Sequence, residues 1–231
     1  MESAKSHDSK ERILSEPIIS QEQTDDDPSA ETQCLYSAEL KLIKSLSPPK
    51  KDEIISRKVR LGEKEKKYTL FLDLDGTLVF SRVISGNKSG DSFVTSIRPH
   101  AKRLLEELSR LYEIIIFTAS CEDYAMKVVD LLDPSGKFIK GVLSRNYCIP
   151  ISEGYYIKDL RIIDDRKMEE MLIVDNSILC FSFQLENGVP VTSYEGQEED
   201  NELELLVSYL KNIYNEKNIV EANKKNIGLM V

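Results

Sequence analysis

From Tyr68 onward the chain alternates short apolar runs with amphipathic segments, and this alternation limits the folds that it can adopt. Apolar runs separated by helical segments are typical of parallel strands joined by helices that cover both faces of a sheet. An α/β domain with a central parallel sheet is therefore predicted. Its strands are expected at about 68–73, 113–117, 141–143 and 171–174, with a further short strand near 178–183.

Three amphipathic helices are predicted between and after these strands. The first begins at Pro99, because proline is favoured as the first residue of a helix. The second begins at Ser120, which forms a capping-box-like pair with Asp123, and the third covers about 200–214. In each helix, apolar residues recur at spacings of three and four, which places them on one face.

Two flanking segments are predicted outside the folded domain, which is assigned to 67–215. Residues 1–66 are rich in Ser, Glu, Lys and Asp and lack sustained apolar periodicity, so they are expected to form a largely disordered or loosely docked leader. One short amphipathic helix is predicted within the leader, at 35–46. Residues 216–231 are assigned to a C-terminal tail.

Charge and cysteine usage narrow the expected partners and compartment. The formal net charge is -9 and the pI about 5.0, so no general attraction to nucleic acid or to anionic lipid is expected. The four cysteines form no Cys-x-x-Cys pair, which is typical of reduced thiols. No apolar run approaches the roughly 20 residues of a membrane span. A soluble, intracellular protein is therefore expected, without a membrane or direct nucleic-acid partner.

The first predicted strand ends in two acidic residues, within the stretch FLDLDGTLVF at 71–80. Asp73 and Asp75 project to the same side if the extended geometry continues, because side chains alternate along a strand. Neighbouring carboxylates repel each other unless a proton or a cation lies between them. Oxygen ligands without His or Cys favour magnesium. The alternative is an idle, solvated loop, since two acids at this spacing are common by chance.

Three later segments place further polar groups at strand ends or in nearby loops. They are FTAS with Thr118, KDL with Lys158, and VDNS with Asp175 and Asn176. Each alone is more often a capping residue, a solvated lysine or a turn. Together with DLDGT, they resemble in order and spacing the four motifs of the haloacid dehalogenase-like (HAD) superfamily.

The amino-acid sequences of the motifs and their flanking residues resemble one branch of that superfamily more closely. The segments are RPHAKRLLEEL, IIIFTAS, YYIKDL, LIVDNS and VPVTSY, spread over about 68–214. They are similar to phosphatases that act on the C-terminal domain of RNA polymerase II, the FCP/SCP-like or NLI-interacting-factor-like family. The resemblance implies a HAD-like Rossmannoid three-layer fold with a central parallel sheet, a small β insert and no large cap domain. It also implies a magnesium-dependent protein serine/threonine phosphatase with a phosphorylated protein or peptide as its substrate. By analogy with the family, a nuclear or cytoplasmic location is expected. A monomer is expected as well.

The resemblance also implies a role for each motif residue. Asp73 is the nucleophile that forms an aspartyl-phosphate, and Asp75 is the general acid and then the base. The Mg²⁺ ion is held by Asp73, by the Asp75 carbonyl, by Asn176 and, through water, by Asp175. The phosphate is held by Thr77, Thr118 and Lys158, with Arg145 nearby.

The sequence departs from the family at Gly76, where glutamate is usual, and in the short segment 79–97. Val83 and Cys121 are expected to line the substrate pocket, where the family often has an aromatic residue and a leucine. The identity of the peptide therefore does not transfer, although the RNA polymerase II C-terminal domain is a candidate. Removing residues 1 to about 60 is expected to leave catalysis largely unchanged.

Two other functions stay open from the sequence. One is a small-molecule or lipid-pathway phosphatase of the same superfamily, because an open site does not by itself select macromolecules. The other is a catalytically silent binding module, similar to the related receptor of the mitochondrial import machinery. A thiolate phosphatase is excluded, because none of the four cysteines is followed by arginine six positions later.

Overall fold

The computed structural model describes residues 36–84, 92–152 and 155–229 of the chain. In chain order the helices and strands are α1 (Ser37–Ser45), α2 (Lys51–Ile55), β1 (Tyr68–Leu72), β2 (Val79–Ile84), β3 (Ser92–Ile97), α3 (Ala101–Leu108), β4 (Tyr112–Phe117), α4 (Glu122–Leu132), β5 (Ile139–Leu143), β6 (Ile149–Ser152), β7 (Tyr155–Ile157), β8 (Met171–Asp175), β9 (Gly188–Pro190), α5 (Glu202–Tyr214) and α6 (Ile219–Ile227).

The central element is a five-stranded sheet in the order β5-β4-β1-β8-β9, and all of its strand pairs are parallel. The middle strand, β1, is buried on both faces, and Leu70 pairs with Ile114 on one side and Leu172 on the other. Because the strands run the same way, their carboxyl ends meet at one edge. This edge gathers the polar residues that follow β1, β4 and β8.

The two faces of the sheet carry separate apolar layers. On one face, side chains such as Leu72 and Ile116 pack against α3, α4 and α5. On the other face, Phe71 and Ile173 pack against α1 and a set of short 3₁₀ helices between 160 and 187. The α/β fold with a central parallel sheet, predicted from the alternation of apolar runs, and the three-layer arrangement that the resemblance implies are therefore confirmed.

The predicted strand near 178–183 is wrong. Residues Ile178–Phe181 form a 3₁₀ helix that packs over the sheet, and the edge strand is β9 instead. A Cβ on Gly188 would lie 2.1 Å from the ring of Phe181, so only glycine lets the ring pack directly on this edge strand. The apolar run therefore marks a buried layer and not a strand.

Two predicted helix starts are also displaced. Helix α3 begins at Ala101, because His100 adopts a left-handed conformation with φ of 66° before it. Helix α4 begins at Glu122, after Cys121 in extended conformation, and no side chain caps it. The predicted cap, Ser120, uses its hydroxyl elsewhere, as a donor to Asp75.

The connection between β1 and α3 is the predicted small β insert. Strands β2 and β3 pair antiparallel from Val79 with Ile97 to Ile84 with Ser92. A second, shorter antiparallel pair joins β6 and β7. In the part of the chain that the structure describes, neither connection contains a separate cap domain. The same ranges contain no helix with the length and apolarity to cross a bilayer.

Residues 36–66 pack against the domain more closely than was predicted for a loosely docked leader. The predicted helix at 35–46 corresponds to α1, and residues 1–35 lie outside the described part. Leu40 and Ile43 of α1 are buried in the second apolar layer. The Arg57 guanidinium donates to the Cys148 carbonyl at 2.9 Å, and Val59 forms a parallel bridge with Ile163. Contacts of this kind leave no periodic pattern in the sequence.

The segment assigned to a C-terminal tail contains helix α6. The Asn218 side chain accepts hydrogen bonds from the amides of Val220 and Glu221 and so caps the helix. Ile219 and Ile227 are buried, and the Asn223 amide donates to the carbonyls of Glu186 and Gly188 at 2.9 Å. The helix therefore covers the β9 edge, and the folded part extends beyond residue 215.

Candidate active site

The carboxyl edge of the sheet holds an open pocket of about 300 Å³. Asp73 follows β1, Thr118 follows β4, Asp175 ends β8, and Lys158 follows β7. The lining includes these four residues together with Asp75, Ala119, Ser120, Arg145, Tyr156, Asn176, Ser177 and Cys180. A larger groove of about 710 Å³, lined by α6 and residues 182–187, contains none of the sequence motifs. The motif residues therefore converge in one place, as the parallel sheet requires.

Lys158 links two carboxylates in the interior of this site. Its side chain is 1% exposed, and Nζ donates to Asp73 Oδ1 at 2.5 Å and to Asp175 Oδ2 at 2.6 Å. Burial alone would lower the lysine pKa, but the charges of Asp175 and Asp73 raise it well above 10.5. Lys158 therefore stays protonated, and it holds the two acids in a fixed relation.

Asp73 is nearly buried, with a side chain that is 7% exposed. Burial raises the pKa of its carboxyl to about 7, against the lowering effect of Lys158, and the charge of Asp175 adds to the rise. Asp73, Asp75 and Asp175 bring three carboxylates to the pocket, which one buried lysine does not neutralise. A cation would relieve this excess of negative charge.

Asp75 is held through both of its oxygens. The Ser120 hydroxyl donates to Oδ2 at 2.7 Å, and the Tyr124 hydroxyl donates to Oδ1 at 2.5 Å. Burial, together with the hydrogen bond to Asp75, raises the Tyr124 pKa above its ordinary value, so the phenol keeps its proton. Sequence reasoning missed both donors, although Ser120 and Tyr124 lie four positions apart at the start of a helix.

Gly76 brings the loop after β1 against the loop after β8. Its φ is +83°, and a Cβ there would lie 2.5 Å from Nδ2 of Asn176. The same Nδ2 donates to the Ser193 hydroxyl at 3.1 Å, and Oδ1 of Asn176 lies 3.5 Å from the Thr77 hydroxyl. Ser193 therefore fixes which side of the amide faces Thr77, and sequence reasoning did not identify it.

Arg98 ties the loop after β1 to the segment after β9. Its guanidinium is buried and donates to the carbonyls of Thr77 at 3.2 Å and Thr192 at 2.8 Å. It also forms a bidentate ion pair with the Asp200 carboxylate, at 2.9 and 2.8 Å. Arg98 contacts no carboxylate of the pocket in these hydrogen bonds and ion pairs, so its role there is to hold the frame.

The donor set fits a magnesium ion that keeps several of its waters. Among the described residues, no group of three or more His, Cys, Asp or Glu side chains is arranged to hold a metal. The pocket lining supplies the Asp73 carboxylate and the Asn176 amide oxygen, and the family resemblance adds the main-chain carbonyl of Asp75. Mg²⁺ is ordinarily bound by one or two carboxylates plus water and substrate oxygens, so this small set is sufficient.

The remaining predicted site residues differ in position. Thr118 is buried and its hydroxyl accepts a hydrogen bond from the Ser120 amide at 3.0 Å. Arg145 is exposed at the rim, where Nε donates to the Ala119 carbonyl and the guanidinium lies 5.4 Å from the Tyr156 ring centre. Cys121 is exposed at the start of α4. The Val83 side chain lies outside the described part, so its predicted pocket role stays a prediction.

The comparison with protein families bears on this site. A family model described as NLI interacting factor-like phosphatase matches residues 68–220, more than half of the chain. The chain belongs to this family. The resemblance that the motifs indicated is thereby confirmed, and the match includes all of the NLI interacting factor-like motif residues described above.

Individual relatives of this NLI interacting factor-like chain are similar over most of the same region. CTD small phosphatase-like protein 3 of Caenorhabditis elegans is 38% identical over 181 residues, which is 72% of this chain and 62% of the relative. Human carboxy-terminal domain RNA polymerase II polypeptide A small phosphatase 1 is 34% identical over 158 residues, 64% of this chain and 59% of the relative.

A solved structure of fission yeast Fcp1, described as an RNA polymerase II CTD phosphatase, is 18% identical with a TM-score of 0.47. The match covers 85% of this chain and 61% of that one. The chain thus spans less than two thirds of the length of each of these three proteins.

Proposed function

We propose that this chain is a magnesium-dependent protein phosphatase that removes phosphate from phosphoserine or phosphothreonine through an aspartyl-phosphate on Asp73. The observation that carries the proposal is the pairing of Asp73 with the buried Lys158, beside a second aspartate, Asp75, that two hydroxyl donors hold in place. One carboxylate is thereby set up as a nucleophile and the other as a proton carrier.

In the first half of the reaction, an oxygen of Asp73 attacks the phosphorus of the substrate. The bond from phosphorus to the seryl oxygen breaks, and its electron pair stays on that oxygen. Asp75 in its protonated form gives its proton to the seryl oxygen, which leaves as a neutral hydroxyl. The product is an acyl phosphate on Asp73 and an ionised Asp75.

In the second half, a water molecule attacks the phosphorus of the aspartyl-phosphate. Asp75 takes a proton from that water, and the bond from phosphorus to the Asp73 oxygen breaks. Phosphate leaves, Asp73 is regenerated as a carboxylate, and Asp75 is protonated again for the next cycle. One carboxyl therefore acts as acid and then as base, as microscopic reversibility requires.

The chain's own residues also manage the charge of the phosphate. Lys158 places a permanent positive charge beside the attacking oxygen, where it offsets the repulsion between carboxylate and phosphate. Thr118 offers a hydroxyl in the pocket, and Arg145 offers a guanidinium at its rim. Thr77 is buried outside the pocket lining, and its hydroxyl lies 3.5 Å from Asn176 Oδ1. A bound Mg²⁺, held by Asp73, Asn176 and the Asp75 carbonyl, would neutralise the phosphate charge further. Asp175 acts by holding Lys158.

An open pocket supports a phosphorylated side chain on a flexible protein segment as the substrate. The human relative is named as a small phosphatase of the RNA polymerase II carboxy-terminal domain, and the nematode relative is named as a CTD small phosphatase-like protein. Phosphopeptides of that kind are therefore the first substrates to test, and the preferred phosphosite belongs to the same proposal.

The experiment measures phosphate release from an aryl phosphate and from a panel of phosphoserine peptides, with Mg²⁺ and with EDTA. We expect release that requires Mg²⁺ and disappears in Asp73→Asn, but persists in the matched control Asp130→Asn, an exposed aspartate of α4. Asp75→Asn treated with aryl phosphate should retain one phosphoryl group, visible in the intact mass.

Three outcomes would contradict or restrict the proposal. Release that is equal in wild type and Asp73→Asn would exclude the proposed nucleophile. Binding of phosphopeptides without turnover would favour the silent binding module. Turnover of small phosphates with no peptide in the panel would limit the proposal to a small-molecule phosphatase.

A further inference from the structure

A chain of hydroxyl groups runs from the β2–β3 hairpin to Asp75. The Ser81 hydroxyl lies 2.7 Å from the Thr95 hydroxyl across the hairpin and 2.5 Å from the Tyr124 hydroxyl on α4. Tyr124 in turn lies 2.5 Å from Asp75 Oδ1. Ser120 contacts the other oxygen of Asp75 at 2.7 Å. The insert and the helix therefore meet at the carboxyl group that carries the proton.

The chemistry of these groups fixes the donor and the acceptor in each of these hydrogen bonds. An ionised carboxylate only accepts hydrogen bonds, so the single proton of the Tyr124 hydroxyl points to Asp75. The Tyr124 oxygen then accepts from Ser81, whose oxygen accepts from Thr95. Ser120 has its own single proton, which points to the second carboxylate oxygen. Each oxygen of Asp75 thus has one fixed donor and keeps a free lone pair for the reaction.

Packing keeps Tyr124 in this position. The residue is half-buried on α4, and its ring lies edge-on to Phe93 of β3, with ring centres 5.8 Å apart. Helix α4 itself is anchored by buried side chains such as Val128 and Leu132. The Tyr124 hydroxyl therefore has little freedom to leave Asp75, and the Asp75 carboxyl has little freedom to turn.

We propose that Tyr124 is a positioning residue for Asp75, which it holds together with Ser120 in the orientation that delivers a proton to the leaving oxygen. This inference rests on the proposed phosphatase function, and it assigns to Tyr124 a part in the proton-transfer step only. A carboxyl group that turns freely would present its proton in the correct direction for a fraction of the time.

The role predicts a dependence on the leaving group. A seryl alkoxide is a strong base and cannot leave without a proton. The nitrophenolate released from nitrophenyl phosphate is a weak base and leaves without one. Loss of the orienting donor should therefore slow the peptide reaction and leave the aryl reaction almost unchanged. A residue that only stabilises the fold would slow both reactions equally.

The test compares kcat/KM for a phosphoserine peptide and for para-nitrophenyl phosphate in wild type and in Tyr124→Phe. We expect a fall of roughly 10–100-fold for the peptide, part of the about 10²–10⁴-fold that a general acid contributes. The aryl phosphate should lose less than about threefold, because its leaving group needs no acid. Ser120→Ala should show the same pattern, and it carries the test alone if Tyr124→Phe does not fold.

The matched control is Tyr112→Phe. The Tyr112 hydroxyl is buried and donates to the Leu210 carbonyl at 2.7 Å, at the start of β4 and away from the site. This variant also loses one buried tyrosine hydroxyl, but we expect no change in the ratio of the two kcat/KM values.

Equal losses for both substrates in Tyr124→Phe and Ser120→Ala, or no loss for either, would overturn the inference. The proposed function is judged separately, by the loss of both wild-type activities in Asp73→Asn. The two failures are therefore distinguishable.

Discussion

Removal of the leader is the perturbation for which the structure and the sequence predict the most different results. Two truncations are compared: one removes residues 1–35 and leaves every described contact, and the other removes residues 1–60. The second loses α1, α2, the Arg57 contact with Cys148 and the Val59 bridge. The sequence alone predicted that this longer deletion would leave catalysis largely unchanged. The structure predicts the opposite.

The size of the effect follows from the buried groups. Leu40 and Ile43 are 6% and 5% exposed, and burial of two such side chains contributes about 3–6 kcal/mol. The Val59 amide donates to the Ile162 carbonyl and its carbonyl accepts from the Asp164 amide, each at 2.9 Å. Each such bond contributes about 0.5–1.5 kcal/mol. The released segment regains conformational entropy, which offsets part of this sum.

We therefore expect the longer deletion to lower the free energy of unfolding by about 3 kcal/mol, a large fraction of the 5–15 kcal/mol typical of a domain. Urea unfolding monitored by circular dichroism measures it, with the shorter deletion as reference. Activity should fall as well, because Cys148 and Ile163 flank the segments that carry Arg145 and Lys158. Identical unfolding midpoints and slopes for the two truncations would refute the reasoning.

Three further predictions concern the site itself. Burial raises the folded-state pKa of Asp73 from 3.8 to about 7, so in EDTA the free energy of unfolding should fall as the pH rises from about 4 to 7. Added Mg²⁺ or the substitution Asp73→Asn should reduce that fall. An unchanged pH dependence of the unfolding free energy in the variant would contradict the assignment. Gly76→Ala should raise the Mg²⁺ concentration needed for activity, because the added Cβ displaces Asn176. Gly136→Ala is the control: its φ is also positive, but no atom lies within 4 Å of the added Cβ, so it should only lower the free energy of unfolding, by about 1–3 kcal/mol. Lys158→Met should abolish turnover and lower the free energy of unfolding at neutral pH by about 3–5 kcal/mol, since two buried carboxylates lose their cation. Urea unfolding should show partial recovery as the pH falls and Asp73 takes up a proton.

The sheet and the convergence of the motif residues could be predicted from the sequence because both follow from local patterns. Apolar runs located β1, β4, β5 and β8 to within a few residues. Since parallel strands end at one edge, Asp73, Thr118 and Asp175 had to come together once the strands were placed. The geometry needed no knowledge of side-chain contacts.

The supporting residues could not be predicted, because their partners are distant in sequence. Ser120 looked like a helix cap, since capping is a local rule, but its hydroxyl is used by Asp75, which lies 45 positions away. Ser193 is held in place by the Asn176 amide, 17 positions away. Nothing in the spacing of these residues distinguishes a serine in a site from a serine in a turn.

The leader and the tail were misjudged for a different reason. Leu40 and Ile43 are the two buried apolar residues of α1, and α6 buries Ile219, Val220 and Ile227. Each buries its side chains against a layer that already exists, so neither needs a strong periodic pattern of its own. Composition measures what a segment can do alone, and these two segments are stabilised by the domain that they cover.

The buried guanidinium of Arg98 affects how loss-of-function variants of this protein are interpreted. A mutagenesis screen scored by turnover alone would group Arg98 with the groups that react, because substitutions there release the Thr77 and Thr192 carbonyls together and leave Asp200 unmatched. Yet no step of the proposed reaction takes place at this arginine. For such a position, lost turnover reports how far the scaffold has shifted, and a parallel measurement of folding is needed before it is counted among the chemical groups.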